Sequence, residues 1–147
     1  DVKGKTAQEI YDILYGILDN MIKEENQFKE SKIAIVNKGE HTIAARYKEW
    51  LVFRNSALSL DRTVFNYTII AQATDGHVNV KLFRISYQYE LERGINDGIE
   101  VVAEEWITDE QGLNKKKDKL AKYSGKFRKK TIDRKDNIFE TITNALR

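Results

Sequence analysis

Cysteine is absent from this 147-residue chain, so it has no disulfide, no thiolate nucleophile and no cysteine-ligated metal. That absence fits an exported protein and a cytosolic one equally. Histidine occurs only as His41 and His77, both beside expected hairpin turns. Without a third nitrogen or sulfur ligand at metal spacing they read as surface residues rather than a zinc site. No Gly-x-Ser-x-Gly elbow, Gly-rich phosphate loop or His-Glu-x-x-His helix is present. The adjacent Glu104-Glu105 could act as acid or base only if a cleft buried one of them, and the pair reads as part of a surface turn. No catalytic residue, metal or cofactor is assigned, and the chain is expected not to be an enzyme. No apolar run approaches the roughly 20 residues of a membrane span. What is present is 41% hydrophobic and 33% charged residues, the balance of a soluble globular protein. A chain of about 150 residues usually closes one core, so a single domain over residues 1–147 is expected.

Charge is segregated along the chain. Lys115 to Lys135 holds eleven Lys/Arg against Asp118 and Asp133, a net +9, with Leu120, Tyr123 and Phe127 interleaved. The whole chain nets +2, so the rest sums to −7, and Glu90 to Glu110 supplies that with eight acids and only Arg93 as a base. A block of this kind binds a polyanion, pairs with an acidic neighbour or forms a solvated helix face. The favoured reading is pairing with the acidic segment and solvent.

Thr6 followed by Glu9 makes a capping box, and Ile10, Ile13, Leu14, Ile17, Leu18, Met21 and Ile22 recur at three- and four-residue spacing. This predicts a helix over Ala7–Glu25. Its polar face carries Glu9, Asp12 and Asp19, which favours a core helix over a membrane-surface one. Gly16 inside it suggests close packing of a neighbour over that point. Strands are expected at Ile33 to Asn37, Thr42 to Phe53, Val64 to Thr74 and His77 to Glu90, with turns at Lys38-Gly39 and Asp75-Gly76, the latter suited to a two-residue type I′ hairpin. Asn55 to Arg62 reads as a loop, and Leu91 to Val102 as a loop returning in a short strand at Ile99 to Ala103. Thr108 can cap a helix through about Lys122, Ser124-Gly125 is a break, and Ile132 to Leu146 is helical with Ile138, Phe139, Ile142, Ala145 and Leu146 on one face. The order of elements predicts an α+β fold: a curved antiparallel sheet of four to five strands with an N-terminal and a C-terminal helix on one face.

The Asp75-Gly76 turn sets a register in which opposed residues sum to 151. One face then gathers Phe65, Tyr67, Ile69, Ala71 and Ala73 with Val78, Val80 and Leu82, and meets the helices. The other gathers Val64 and Ile70 with Phe83, Ile85, Tyr87 and Tyr89, interrupted by Asn66, Thr68, Gln72, Asn79 and Lys81. Unless a loop, the Glu92 to Trp106 segment or a second copy covers it, this second face is an exposed, partly aromatic contact surface.

Ala103-Glu104-Glu105-Trp106-Ile107-Thr108-Asp109-Glu110, Leu113-Asn114-Lys115 and Ser124-Gly125-Lys126-Phe127-Arg128-Lys129-Lys130-Thr131-Ile132-Asp133 with Phe139 resemble the closing motif of a known family. It is an exported domain-of-unknown-function family of gut-associated Gram-negative anaerobes, described as having a fold like the TATA-binding protein (TBP-like). Gly4-Lys5-Thr6 with Glu9-Ile10-Tyr11, and Trp50-Leu51-Val52-Phe53 with Ser59-Leu60-Asp61-Arg62-Thr63, are similar to it as well. The resemblance implies a TBP-like fold and an extracytoplasmic place, periplasmic, envelope-associated or secreted. It also implies that Asp1-Val2-Lys3 is the tail of a strand that precedes the first helix in that family. It transfers no activity.

The expected function is a non-catalytic binding or interaction module of the cell envelope, with Phe83, Ile85, Tyr87, Tyr89, Val64 and Ile70 as its contact residues and a protein partner or self-association as its occupant. The alternative is binding of nucleic acid or another polyanion through Lys115, Lys116, Lys119, Lys126, Arg128, Lys129 and Lys130. The TATA-binding protein itself uses two such repeats and a concave basic face, whereas this chain has length for one repeat and a basic block lying mostly on expected helices. Nucleic acid therefore ranks behind a protein partner.

Overall fold

The computed structural model describes residues 1–56, 59–89, 99–102 and 124–147, with the main chain alone at 56, 59, 99–102 and 124. Helix α1 spans Ala7–Ile22, strands β1 to β5 span Lys32–Asn37, Thr42–Ser56, Ser59–Thr74, His77–Tyr89 and Ile99–Val102, and helix α2 spans Ser124–Leu146. The strands form one curved antiparallel sheet in the order β1-β2-β3-β4-β5. The α+β arrangement is the one expected, and the strands His77–Tyr89 and Ser59–Thr74 are antiparallel neighbours.

Thr6 caps α1 in the predicted box: its hydroxyl accepts from the Glu9 N–H, and the Glu9 carboxylate accepts from the Thr6 N–H. Ile10, Leu14 and Leu18 are fully buried and Tyr11 and Met21 nearly so. The helix ends at Ile22, three residues before the predicted Glu25. Gly16 corrects its expectation: it is exposed, and a Cβ there would meet nothing within 4 Å. It fills no close approach and contributes only backbone freedom.

Long strands replace the loop expected at Asn55 to Arg62. Arg54 pairs with Asp61, Asn55 with Leu60 and Ser56 with Ser59, so β2 and β3 form one extended hairpin. The Asp75-Gly76 loop keeps its two residues, with Thr74 opposite His77. Only Gly76 has a positive φ, at 73°, so the turn is not type I′, which needs both central residues left-handed. The turn also holds the N-terminus: the Val2 N–H donates to the Gly76 carbonyl, and the Asp75 carboxylate accepts from the Ala7 N–H at the start of α1. Helix α2 begins eight residues before the predicted Ile132 and includes Ser124-Gly125 in its first turn. The helix expected from Thr108 to Lys122 lies outside the described residues, as do the acidic stretch 90–98 and Glu104-Glu105.

One face of the sheet makes the core. Ile43, Ala45, Tyr47 and Leu51 of β2, Phe65, Tyr67, Ile69, Ala71 and Ala73 of β3, and Tyr87 and Tyr89 of β4 are buried together with the α1 stripe and with Phe127, Ile138, Ile142 and Leu146 of α2. Among these apolar residues sits Glu49, whose strand parity forces it inward. Arg134 of α2 meets it with two bonds, Nε to Oε1 at 2.9 Å and Nη2 to Oε2 at 3.0 Å. Gln27 donates to Oε2 at 2.6 Å, and Glu24 reaches Arg134 Nη2 at 3.3 Å. The Glu49 and Arg134 side chains are only 4% and 17% exposed. Burial opposes the Arg134 charge, but the Glu49 hydrogen bonds and the neighbouring carboxylates outweigh it and hold the guanidinium protonated more firmly than usual. The buried Tyr67 hydroxyl faces the same pair without a hydrogen bond of good geometry among the described residues, and burial raises its pKa.

Two outcomes follow for stability. Gly16→Ala removes a helix-interior glycine from an open surface and should stabilise by up to about 1 kcal/mol, read as a higher midpoint in urea. Glu49→Leu leaves a guanidinium buried without its partner and should cost about 3–5 kcal/mol, while Glu49→Leu with Arg134→Met should recover most of that loss in the same denaturation experiment.

Candidate interaction surface

Alternation along the strands sends the even-numbered residues of β2 and β3 away from the helices. Arg46, Lys48 and Trp50 of β2 and Arg62, Val64, Asn66, Thr68, Ile70 and Gln72 of β3 are partly or fully exposed there. On β4 the same face holds His77, Asn79, Lys81 and Phe83, each opposite an even β3 residue. To this point the sum of 151 holds.

Beyond Phe83 it fails. Thr68 pairs with Phe83, but Asn66 pairs with Ser86, so β4 carries an extra residue between them. Arg84 sits there with φ +53°, the left-handed conformation that bulges use and that L side chains seldom adopt. The bulge inverts the parity of everything after it. Tyr87 and Tyr89, expected on the open face, lie on the helix side opposite Phe65 and Thr63, and Ile85 packs against the core cluster. Tyr87 is 0% exposed, stacked on Phe65 at 5.6 Å between centroids, edge-on to Phe127 at 4.9 Å, and hydrogen-bonded through its hydroxyl to Thr131 Oγ1 at 2.6 Å. The Tyr89 hydroxyl donates to Asp61, which also accepts from Lys126 Nζ. Of the six expected contact residues, Val64, Ile70 and Phe83 are on the open face, each half-buried, and Ser86 and Gln88 take the places expected for Ile85 and Tyr87.

Residues missed from the sequence dominate this face. A concavity of about 520 Å³ is lined by Lys29, Lys32, Arg46, Lys48 and Arg84, with Glu30 its only acid among the lining residues. Lys48 Nζ donates to Glu30 Oε2 at 3.1 Å, and that hydrogen bond holds the Glu30 carboxyl below its ordinary pKa. The Arg62 guanidinium stacks on the Trp50 ring, 3.6 Å from its centroid, and Phe28 contacts the same ring at 5.0 Å. The even parity of β2 was the available signal: Arg46, Lys48 and Trp50 follow from it once β2 is paired to β3.

The basic block divides where it is described. Lys126 engages Asp61 and lies over the rings of Phe53 and Tyr89, Lys129 pairs with Asp133 at 2.9 Å, and Arg134 belongs to the interior. Arg128 and Lys130 are partly buried, and Lys115, Lys116 and Lys119 lie outside the described residues. His77 Nδ1 is 3.1 Å from the Asp1 carboxylate, and His41 packs edge-on to Tyr11.

Residues 1–88 match the family described as a domain of unknown function (DUF4468) with TBP-like fold. The chain belongs to this family. Its structure is similar to that of a DUF4468 family protein from Bacteroides ovatus, at 37% identity and a TM-score of 0.85 over 99% of this chain and 81% of that one. It is also similar in fold to a TBP-like protein from Parabacteroides distasonis, at 19% identity and a TM-score of 0.78 over 99% of this chain and 87% of that one. No curated protein matches it. Among the described residues no helix is long and apolar enough to cross a membrane.

The placement of the tyrosines has a direct test. Tyr87→Ser should cost about 3–5 kcal/mol, because it empties a packed aromatic site and leaves the Thr131 hydroxyl without its partner. Phe83→Ser, on the open face, should cost under about half that in the same urea titration.

Proposed function

We propose that this DUF4468 domain is a non-catalytic binding module whose contact surface is the sheet face turned away from α1 and α2. The observation that carries this reading is the composition of that face. Trp50, Val64, Ile70 and Phe83 stand half-buried with no helix over them among the described residues, surrounded by lysines and arginines. A sheet face of mixed rings, amides and cations suits a reversible polar interface better than a sealed core. An extracytoplasmic place, at the envelope or secreted, is part of the reading and rests on the family resemblance. Polyanion binding through the Lys115–Lys135 block is the weaker alternative, because Lys126 and Arg134 are already engaged within the fold.

The test is site-specific photocrosslinking. Purified protein carrying benzoylphenylalanine at Phe83 or Ile70 is irradiated in envelope and secreted fractions of Bacteroides ovatus, beside protein carrying it at Tyr15 on the outer surface of α1. Discrete adducts from the two sheet positions and none from Tyr15 are expected. Adducts from Tyr15 alone, or from no position, would overturn the reading.

A further inference from the structure

The geometry points to a specific occupant for one end of this face: an extended acidic polypeptide that adds as a strand to the outer edge of β1. This deepens the preceding reading and rests on it.

The first observation is a conflict that the sheet tolerates. Lys32 and Arg46 are direct cross-strand partners, an arrangement of like charges that destabilises a strand pair. Lys29, Lys48 and Arg84 line the same concavity, and its one lining acid, Glu30, is ion-paired to Lys48. Among the described residues Lys32, Arg46 and Arg84 have no acidic partner. Violations of a local rule are expected where a site needs them.

A second observation is independent of charge. Arg84 reaches this cluster because a bulge holds it at a positive φ, in place of the glycine or asparagine that would occupy such a position without strain. The strained backbone thus puts a guanidinium where four other cations already converge.

The third observation selects polypeptide over nucleic acid. Among the described residues β1 is an edge strand, so its outer N–H and C=O groups have no neighbour there in the sheet order. Ile35 is 62% exposed and Val36 41% exposed on it, beyond Lys32 and the bulge between Ile33 and Ile35 that blunt its start. An added strand satisfies that edge with main-chain bonds. Its alternate side chains fall on two faces: one beside Lys32 and Arg46, which fits carboxylates and on which Ile35 follows beyond the bulge, and one beside Ile33 and Val36, which fits apolar groups. Of the two open-face rings that nucleobases could stack on, Trp50 is already engaged by Arg62 and Phe28, and the Arg84 guanidinium lies 5.6 Å from the centroid of Phe83.

The probe is a fluorescein-labelled ten-residue peptide of alternating Glu and Val, measured by anisotropy against the whole chain at about 0.05 M salt. It should bind, whereas the Lys-Val counterpart and a 20-nucleotide single strand of DNA should bind at least tenfold more weakly. Arg46→Gln with Arg84→Gly, the glycine suiting the left-handed position, should weaken the Glu-Val peptide at least tenfold, while Lys129→Gln on α2 leaves it unchanged. Successive strand N–H groups point to opposite edges, so N-methylating the Glu positions or the Val positions blocks one edge each. One of these two peptides should lose binding and the other keep it. Equal binding of both N-methylated peptides would show charge attraction without strand addition and overturn the inference. So would tighter binding of the DNA, or no binding of the Glu-Val peptide. Adducts at Phe83 and Ile70 persisting alongside such a failure would leave the open face as the contact surface and remove only the acidic strand.

Discussion

The buried carboxylate of Glu49 and the guanidinium that meets it set the position of everything else. The alternation Ile43, Ala45, Tyr47, Glu49, Leu51 on β2 faces the core, so an acid enters the interior between two aromatic and aliphatic layers. A lone carboxylate there would cost several kcal/mol in lost hydration. Arg134 offsets this only in one orientation, because its planar fork must lie along both carboxylate oxygens at once. That requirement fixes the rotation of α2 about its axis and its height along β2. With α2 so placed, Thr131 and Phe127, one and two turns earlier, meet Tyr87, Tyr89 and Phe53, and Ile138 and Ile142, one and two turns later, reach the α1 side of the core. Gln27 ties the connector after α1 to the same carboxylate, and the Tyr47 hydroxyl donates to the Leu18 carbonyl at the end of α1. Three parts of the fold converge on one ion pair.

Both helices are thereby committed to one face of the sheet, and the other is left with whatever the opposite parity supplies. Bulges decide what that is. Beyond Phe53, which packs against Phe127, an extra residue in β2 shifts the pairing from Val52–Arg62 to Arg54–Asp61, and at Arg84 an extra residue in β4 moves two tyrosines into the core and a guanidinium out of line. Without the second bulge the open face would be aromatic. With it, the face is amide-rich and basic around a few half-buried apolar residues.

Much of the frame was legible in the sequence, for reasons that can be located. Helix α1 announced itself through Thr6, Glu9 and a seven-member apolar stripe, and the β3–β4 register followed from Asp75-Gly76 as far as Phe83. The stretch Phe83, Ile85, Tyr87, Tyr89 misled because its alternation continues unbroken through the bulge, and an arginine at a left-handed position carries none of the glycine or asparagine signal that would reveal one. Glu49 was equally silent, since a glutamate in an aromatic strand looks like an outward residue until its partner is known. That partner, Arg134, was hidden inside a run of eleven bases, where proximity in sequence suggested a shared role that the fold does not give it. The strand pairing of Asn55 to Arg62 was missed because polar residues at the tip of a long hairpin satisfy the same pattern as a loop.

Charge clustering along a chain and charge clustering in space are different quantities, and this protein separates them. Lys126, Lys129 and Arg134 are neighbours in sequence, yet each is matched to its own acid: Asp61, Asp133 and Glu49. Lys32, Arg46, Lys48 and Arg84 are scattered across three strands and a fifty-residue span, yet strand pairing gathers them around one concavity with a single glutamate. Matched charges have short-range, largely satisfied fields, whereas unmatched ones projecting from a low-dielectric sheet add their potentials over a distance of about 10 Å at moderate salt. Among the described residues, the cations that share one lightly neutralised concavity are therefore those dispersed over the sheet, whereas Lys126, Lys129 and Arg134 of the dense run are held in pairs within the fold.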